Sequence, residues 1–372
     1  MKIRAAVVER SGGPFVLSDV ELAELRPDEV RVRLVATGMC HADLICRDQI
    51  FPVPLPAVFG HEGAGIVEEI GSAVQRLKRG DQVVIGFNYC GTCRFCRNGF
   101  PGNCETTHAH NFGGVRPDGS SPLSIHDQQI SGWFFGQSSF ATHANVSERI
   151  AVRVETTMPL RYVAPLACGA MTGIGAVWNV LRPSPGSSIT ILGTGAVGQS
   201  AIAGARLAGC ETIIAVDVVP SRLALAREMG ATHVVNARDT DPVEEVMSIT
   251  GGQGSELALD AAAGAPTAFR QMLDMLSVRG HGVLVGSPDP GDEVQLDLSR
   301  YLNAGKRVSF VLEGDSEPQT FIPRAVKLME SGRLDLSPMM AFLPFDAIED
   351  AAHGSESGKY VKPVLLFDES AA

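Results

Sequence analysis

From Ser188 onward, short β-branched runs alternate with helix-like segments: ITILG with AVGQSAIAGARLAG, TIIAVD with PSRLALAREMG, THVVN with PVEEVMSITG, LALDAAA with PTAFRQMLDMLS, then GVLVGS. No other feature constrains the chain as strongly. Parallel strands can be joined only by long crossovers, so this alternation specifies a parallel sheet covered by helices on both faces, a doubly wound α/β unit. RVSFVLEG supplies a candidate sixth strand.

The first strand-to-helix turn of that unit is Gly193-Thr194-Gly195-Ala196-Val197-Gly198, and Asp217 closes the next strand. Glycines at this spacing permit a tight turn and let backbone N–H groups approach a pyrophosphate at the helix N-terminus. The Asp217 carboxylate is placed to accept hydrogen bonds from ribose hydroxyls and would repel a 2′-phosphate, which favours NAD over NADP. Arg222 is a source of compensating charge, and a turn with packing value alone is the plainer alternative.

The first 150 residues read differently. IRAAVVE, VRVRLVATG, GAGIVEEIG and DQVVIG are separated by Gly, Pro and Asp rather than by helices, so this half is mainly β. After the α/β region come FIPRAVKLMESG, a second helix near 345–354 and a closing strand, KPVLLF. The expected organisation is a discontinuous catalytic domain, residues 1–169 and 307–372, with a nucleotide-binding domain at 170–306.

The 372 residues carry 31 Lys plus Arg against 42 Asp plus Glu, a net charge of −11 that disfavours nucleic acid and anionic membrane as partners. Two charge-free stretches, 162–181 and 184–205, match a membrane span in length, but their Gly, Ser, Pro and Asn content reads as soluble core. The N-terminal MKIRAAVVERSGG has no long apolar segment of the signal-peptide kind, so a cytoplasmic location is expected. In a reducing compartment, clustered thiols suggest metal before disulfides.

Such a cluster is Cys90, Cys93, Cys96 and Cys104, spaced C-x2-C-x2-C-x7-C. Four thiolates saturate tetrahedral zinc and leave no open position, so the expected role is to hold a loop. An iron–sulfur cluster is the competing reading, and two disulfides the plainer one. Cys40, His61 and Cys168 are scattered, yet two cysteines and one histidine form a known catalytic zinc set with an exchangeable fourth position. Asp43 and Glu62 lie near enough in sequence to support these ligands or to substitute for them.

GHEGAGIVEEIGSAV, the four-cysteine segment, CGAMTGIGA, GTGAVG and GKYVKPVL occur in this order in the zinc-dependent medium-chain alcohol dehydrogenases, and the chain resembles that family over essentially its whole length. WFFGQSSFATHA and LEGDSEPQTFIP resemble the aryl-alcohol (benzyl-alcohol) branch, which includes enzymes for allylic terpene alcohols. The resemblance implies a GroES-like catalytic domain beside a Rossmann domain, and two Zn2+ per subunit. The catalytic zinc would sit on Cys40, His61 and Cys168 with Asp43 and Glu62 behind it, and the structural zinc on Cys90, Cys93, Cys96 and Cys104. It also implies that Thr172 packs near the nicotinamide and that Val285 and Ser287 line its groove. His41, Arg222 and Lys362 would reach cofactor phosphate or ribose, and the assembly would be a homodimer or homotetramer.

Two departures stand out. Where many relatives begin and end a proton relay, this chain has Ala42 and Ile45, neither of which transfers protons. The expected activity is reversible hydride transfer from a primary aromatic or allylic alcohol to NAD+, with Phe51, Phe87, Trp133, Phe134 and Phe135 as candidate pocket residues. Two alternatives stay open: a thiol-dependent formaldehyde dehydrogenase acting on a hydroxymethyl-thiol, and a catalytically impaired NAD(H)-binding or redox-sensing protein.

Overall fold

The period-two runs of the first half form two mainly antiparallel sheets in a computed structural model that describes residues 1–262 and 266–367. Strand Glu29–Gly38 shows why. Val30, Val32 and Leu34 are buried on one face, while Arg31 and Arg33 alternate with them and pair with Glu69 and Glu68 of the neighbouring strand Glu62–Ile70. A one-residue slip would bury both arginines, so the register is strongly fixed.

The larger sheet has seven strands, in the order Ala151–Arg153, Gln82–Ile85, Glu62–Ile70, Glu29–Gly38, Lys362–Leu366, Met340–Pro344, with His143–Ser147 also paired to Glu29–Gly38. The smaller orders Ala57–Val58, Lys2–Val8, Val16–Leu22, Leu123–Ile125, Gln128–Ile130. The closing strand Lys362–Leu366 thus inserts beside Glu29–Gly38, far from its neighbours in sequence.

The second unit carries the parallel sheet, ordered His233–Asn236, Thr212–Asp217, Ser188–Leu192, Ser255–Asp260, Leu276–Leu284, Arg307–Phe310, with every pairing parallel. Its central strands are apolar on both faces, as a sheet sandwiched between helices requires. Strand order reverses between Ser188–Leu192 and Ser255–Asp260, and ligands of such sheets bind at the carboxyl ends of the strands beside that switch point.

The boundaries differ from the expected ones. The compact units are Met1–Cys168, Glu317–Ser331 and Met340–Ala372 on one side, and Gly169–Ser316 and Gly332–Met339 on the other. Arg307–Phe310 hydrogen-bonds to Leu276–Leu284, which draws residues 307–316 out of the first unit and into the second. Residues 332–339 join it as well, with Met339 buried and in contact with the Ser200 hydroxyl. Among the described residues no helix is long and apolar enough to cross a membrane. Residues 162–181 break into short 3-10, α and π pieces, and 184–205 divides into a strand and a helix.

Candidate active site

The sulfurs of Cys40 and Cys168, a ring nitrogen of His61 and a carboxylate oxygen of Glu62 all lie within 4.8 Å of one another. Residues from three separate places in the chain thus converge in the first unit. Asp43 ties two of them together. Fully buried in the first turn of helix His41–Arg47, its Oδ2 accepts from the Cys40 amide (2.9 Å). Its Oδ1 accepts from the Gly60 amide (3.0 Å) and from His61 Nδ1 (2.9 Å). Gly60 has φ +92°, and a Cβ there would run into Phe140, so glycine is what lets the backbone pass Phe140 and turn its amide to Asp43.

The donor chemistry suits zinc. With Nδ1–H given to Asp43, the His61 tautomer leaves Nε2 for a metal, and that atom is buried with no hydrogen-bond partner. The hydrogen bond from Cys168, against the cost of burial and with help from the Lys362 ammonium, holds Cys40 well below the usual thiol range, favouring the ligating thiolate. Two sulfurs and one imidazole form a recognised catalytic zinc set.

The second cluster is local. Cys90, Cys93, Cys96 and Cys104 also place their sulfurs within 4.8 Å of one another, and none forms a disulfide. The Cys90–Cys96 and Cys93–Cys96 sulfur separations are 3.9 and 3.4 Å, against the roughly 3.8 Å edge of a tetrahedron with Zn–S bonds of about 2.3 Å. Backbone N–H groups of Thr92 and Cys93 point at the Cys90 sulfur (3.4 and 3.2 Å). Against the cost of burial, these and the Thr92 hydroxyl draw the Cys90 thiol down to about 5.

In the second unit, three glycines shape the turn. Gly193 has φ +78° and lies where a Cβ would strike the backbone of Ala261 and Ala262. At Gly198 a Cβ would collide with the Gly193 carbonyl, while a Cβ on Gly195 would meet nothing within 4 Å, leaving the helix N-terminus open to a ligand. Thr194 contributes something the spacing did not reveal. Its amide (2.6 Å) and hydroxyl (2.8 Å) both donate to Asp217 Oδ2, and the amides of Val218 (2.7 Å) and Val219 (2.9 Å) donate to Oδ1. Asp217 therefore anchors the turn as well as closing its strand.

Ala196 and Val197 open helix Ala196–Ala208, Arg222 lies in helix Pro220–Met229, and Val285 and Ser287 follow the carboxyl end of Leu276–Leu284. Thr172 is buried in helix Gly169–Gly175 with its hydroxyl donating to Glu313 (3.4 Å), whereas His41 is exposed.

The family model described as alcohol dehydrogenase GroES-like domain matches residues 26–156, and that described as zinc-binding dehydrogenase matches 196–331. Geraniol dehydrogenase of Castellaniella defragrans is 40% identical over 98% of this chain and 97% of its own. The chain belongs to the zinc-binding medium-chain alcohol dehydrogenase family. Two solved structures of this alcohol dehydrogenase family agree across 99% of the chain and 100% of their own lengths. One is an alcohol dehydrogenase zinc-binding domain protein from Burkholderia ambifaria (TM-score 0.96, 45% identity), the other benzyl alcohol dehydrogenase from Acinetobacter calcoaceticus (TM-score 0.95, 42% identity).

Lys362, expected at cofactor phosphate or ribose, is 1% exposed and donates to Glu62 Oε1 (2.7 Å) and the Met39 carbonyl (3.2 Å). A buried ammonium requires a buried counter-charge, and Glu62 provides it. The aromatic residues form a continuous series leading away from His61. Phe135 stacks on the imidazole (4.5 Å, 25°), Phe134 meets it edge-on (5.6 Å), Phe112 packs on both (5.1 and 6.1 Å), and Phe51 packs on Phe112 (4.5 Å). Phe112 was not singled out by sequence, and Phe87 packs instead on Tyr89.

Proposed function

We propose that the chain oxidises primary aromatic or allylic alcohols to aldehydes with NAD+, reversibly, using one zinc on Cys40, His61 and Cys168 and holding a second on Cys90, Cys93, Cys96 and Cys104. The observation that carries the substrate class is the aromatic series Phe135, Phe134, Phe112 and Phe51 beginning at the imidazole of His61. Flat apolar side chains orient a benzyl or prenyl-like group and exclude water from it. Geraniol dehydrogenase and benzyl alcohol dehydrogenase among the similar proteins point the same way.

When bound, zinc supplies Lewis-acid polarisation of the substrate oxygen and NAD+ the hydride acceptor. The protein's part is positional and electrostatic. Asp43 fixes the His61 tautomer and the Cys40 backbone, and Lys362 balances the charge of Glu62 beside the thiolates. Ala42 and Ile45 hold no proton, so the alcohol proton leaves by a route that bypasses both side chains.

A steady-state panel with NAD+ and NADP+ tests this reading. At about 0.8 kcal/mol per buried CH2, the extra carbons of benzyl or cinnamyl alcohol or geraniol give roughly 100-fold or more in kcat/KM over ethanol. NAD+ is expected to be preferred because of Asp217. An ethanol preference would reject the substrate class, activity on formaldehyde only with added thiol would replace it by the hydroxymethyl-thiol reaction, and NADH binding without turnover would replace it by a sensor.

The assembly is proposed to be a homodimer or a homotetramer built from it. Edge strand Arg307–Phe310 leaves Val308 and Phe310 exposed, with Leu312 after it and Leu298 and Leu302 of the preceding helix exposed as well. An apolar open edge invites pairing, and a two-fold axis lets one edge pair with its copy. Phe310→Lys, placing a charge at a 70% exposed position, should lower the sedimentation mass relative to wild type. An unchanged mass would exclude this edge as the interface.

A further inference from the structure

The turn at residues 133–138 places two non-glycine residues in the left-handed region, Phe135 (φ 50°) and Ser138 (φ 47°), on either side of Gly136 (φ 71°). A bulky residue is rarely found there, so its surroundings must impose the conformation. The conformation brings two side chains to His61. Phe135 stacks on the ring, and Gln137, 2% exposed, takes hold of the backbone. Gln137 Nε2 donates to the carbonyls of His61 (2.9 Å), Ile85 (3.1 Å) and Gly86 (3.2 Å), and Oε1 accepts the Gly63 amide (3.0 Å).

These partners are the ends of two strands. Glu62–Ile70 and Gln82–Ile85 pair from Ile66↔Gln82 to Ala64↔Val84 and then stop. One step further, where Gly63 would face Ile85, the Gln137 carboxamide stands between the chains and supplies the donor and acceptor that the ladder lacks. His61 is thus fixed twice, at Nδ1 by Asp43 and at the main chain by Gln137. An apolar side chain of equal length would leave buried carbonyls and an amide without these bonds.

We propose that Gln137 is a positioning residue for the metal site, setting the height and tilt of His61 so that Nε2 meets the sulfurs of Cys40 and Cys168. This rests on the reading of those three residues as a zinc set. Groups that orient a ligand in this way are typically worth 10- to 100-fold in metal affinity or activity.

The experiment compares wild type, Gln137→Met and Gln137→Asn, purified with zinc. It measures transfer of zinc to a chromogenic chelator well below the melting temperature, the electronic spectrum after Co2+ replacement, and amide exchange at Gly63. Wild type should release its two zincs in two resolved phases. Gln137→Met should release the more labile zinc at least about tenfold faster with the other phase unchanged, and show an altered Co2+ band and faster Gly63 exchange. Its kcat should fall further than its KM for the alcohol rises. Gln137→Asn, which keeps the amide but shortens its reach, should lie between the two, and it carries the test should the Met variant fail to fold. A lower melting temperature with unchanged zinc release and Co2+ spectrum would reduce Gln137 to an ordinary structural clamp and overturn the proposal. A wild-type chain holding a single zinc would instead remove the metal reading on which it stands.

Discussion

Cys168→Ala is expected to hold one zinc per chain instead of two and to oxidise benzyl alcohol at least about 1,000-fold more slowly, the equivalent of about 4 kcal/mol of lost transition-state stabilisation. Its sulfur lies within 4.8 Å of those of Cys40 and His61's ring nitrogen, so its removal leaves two strong donors and a carboxylate already engaged by Lys362. Two such donors do not make a closed zinc set. His61→Ala should behave alike. Asp43→Asn, which keeps the shape but weakens the grip on Cys40, Gly60 and His61, should cost roughly 10- to 100-fold, as is usual for groups that orient a ligand. NADH binding, followed by fluorescence, should survive all three changes, because the glycine turn belongs to the other compact unit and draws its anchoring from Thr194 and Asp217. Metal analysis and turnover together decide the matter: a variant that loses a zinc yet retains activity would place the chemistry elsewhere.

What was legible in the sequence was what local spacing encodes. Strand–helix alternation fixed the parallel sheet, since the crossover rule acts on neighbouring segments, and the glycine and four-cysteine motifs each fit within one turn or loop. The catalytic cluster was different. Cys40, His61 and Cys168 are distant in sequence and carry no mutual period, so their residue types only suggested a zinc set, and the resemblance to a family is what strengthened it. The pairing of Lys362 with Glu62 was hidden for a related reason: the two lie 300 positions apart, and only the insertion of the last strand beside Glu29–Gly38 brings them into contact. RVSFVLEG was readable as a sixth strand, and its pairing with Leu276–Leu284 is what places residues 307–316 in the second unit. Asp43 was visible from its closeness to Cys40, but Gln137 bonds the backbones of other segments, a role for which a side chain carries no sequence mark.

Cys104→Ser should also lose one zinc, but with a different consequence. The loop that carries the four cysteines has almost no apolar core of its own; helix Arg94–Arg97 contains no buried residue. The metal must therefore supply most of its order. Structural zinc is worth roughly 10–16 kcal/mol to small zinc-folded peptides, a sum comparable to the entire 5–15 kcal/mol stability of a domain. Even if only about a third of that couples to the rest of the unit, the melting temperature should fall by roughly 10 °C or more at 2–4 °C per kcal/mol. Backbone amides at 90–104 should lose hydrogen-exchange protection first. The damage should then spread along a defined path. Helix Thr107–Phe112 follows the loop directly, Asn111 bonds the amide and carbonyl of Asn88 ahead of it, and Phe112 packs on Phe134 and Phe135 beside His61. Loosening the loop thus loosens the aromatic wall before it disturbs the ligands of the other metal. KM for benzyl alcohol should rise while the kcat of the folded fraction stays within a few-fold of wild type, the opposite of the pattern expected for Cys168→Ala. A Cys104→Ser protein with two zincs and unaltered melting would show that three sulfurs suffice and that the loop is ordered by something other than metal.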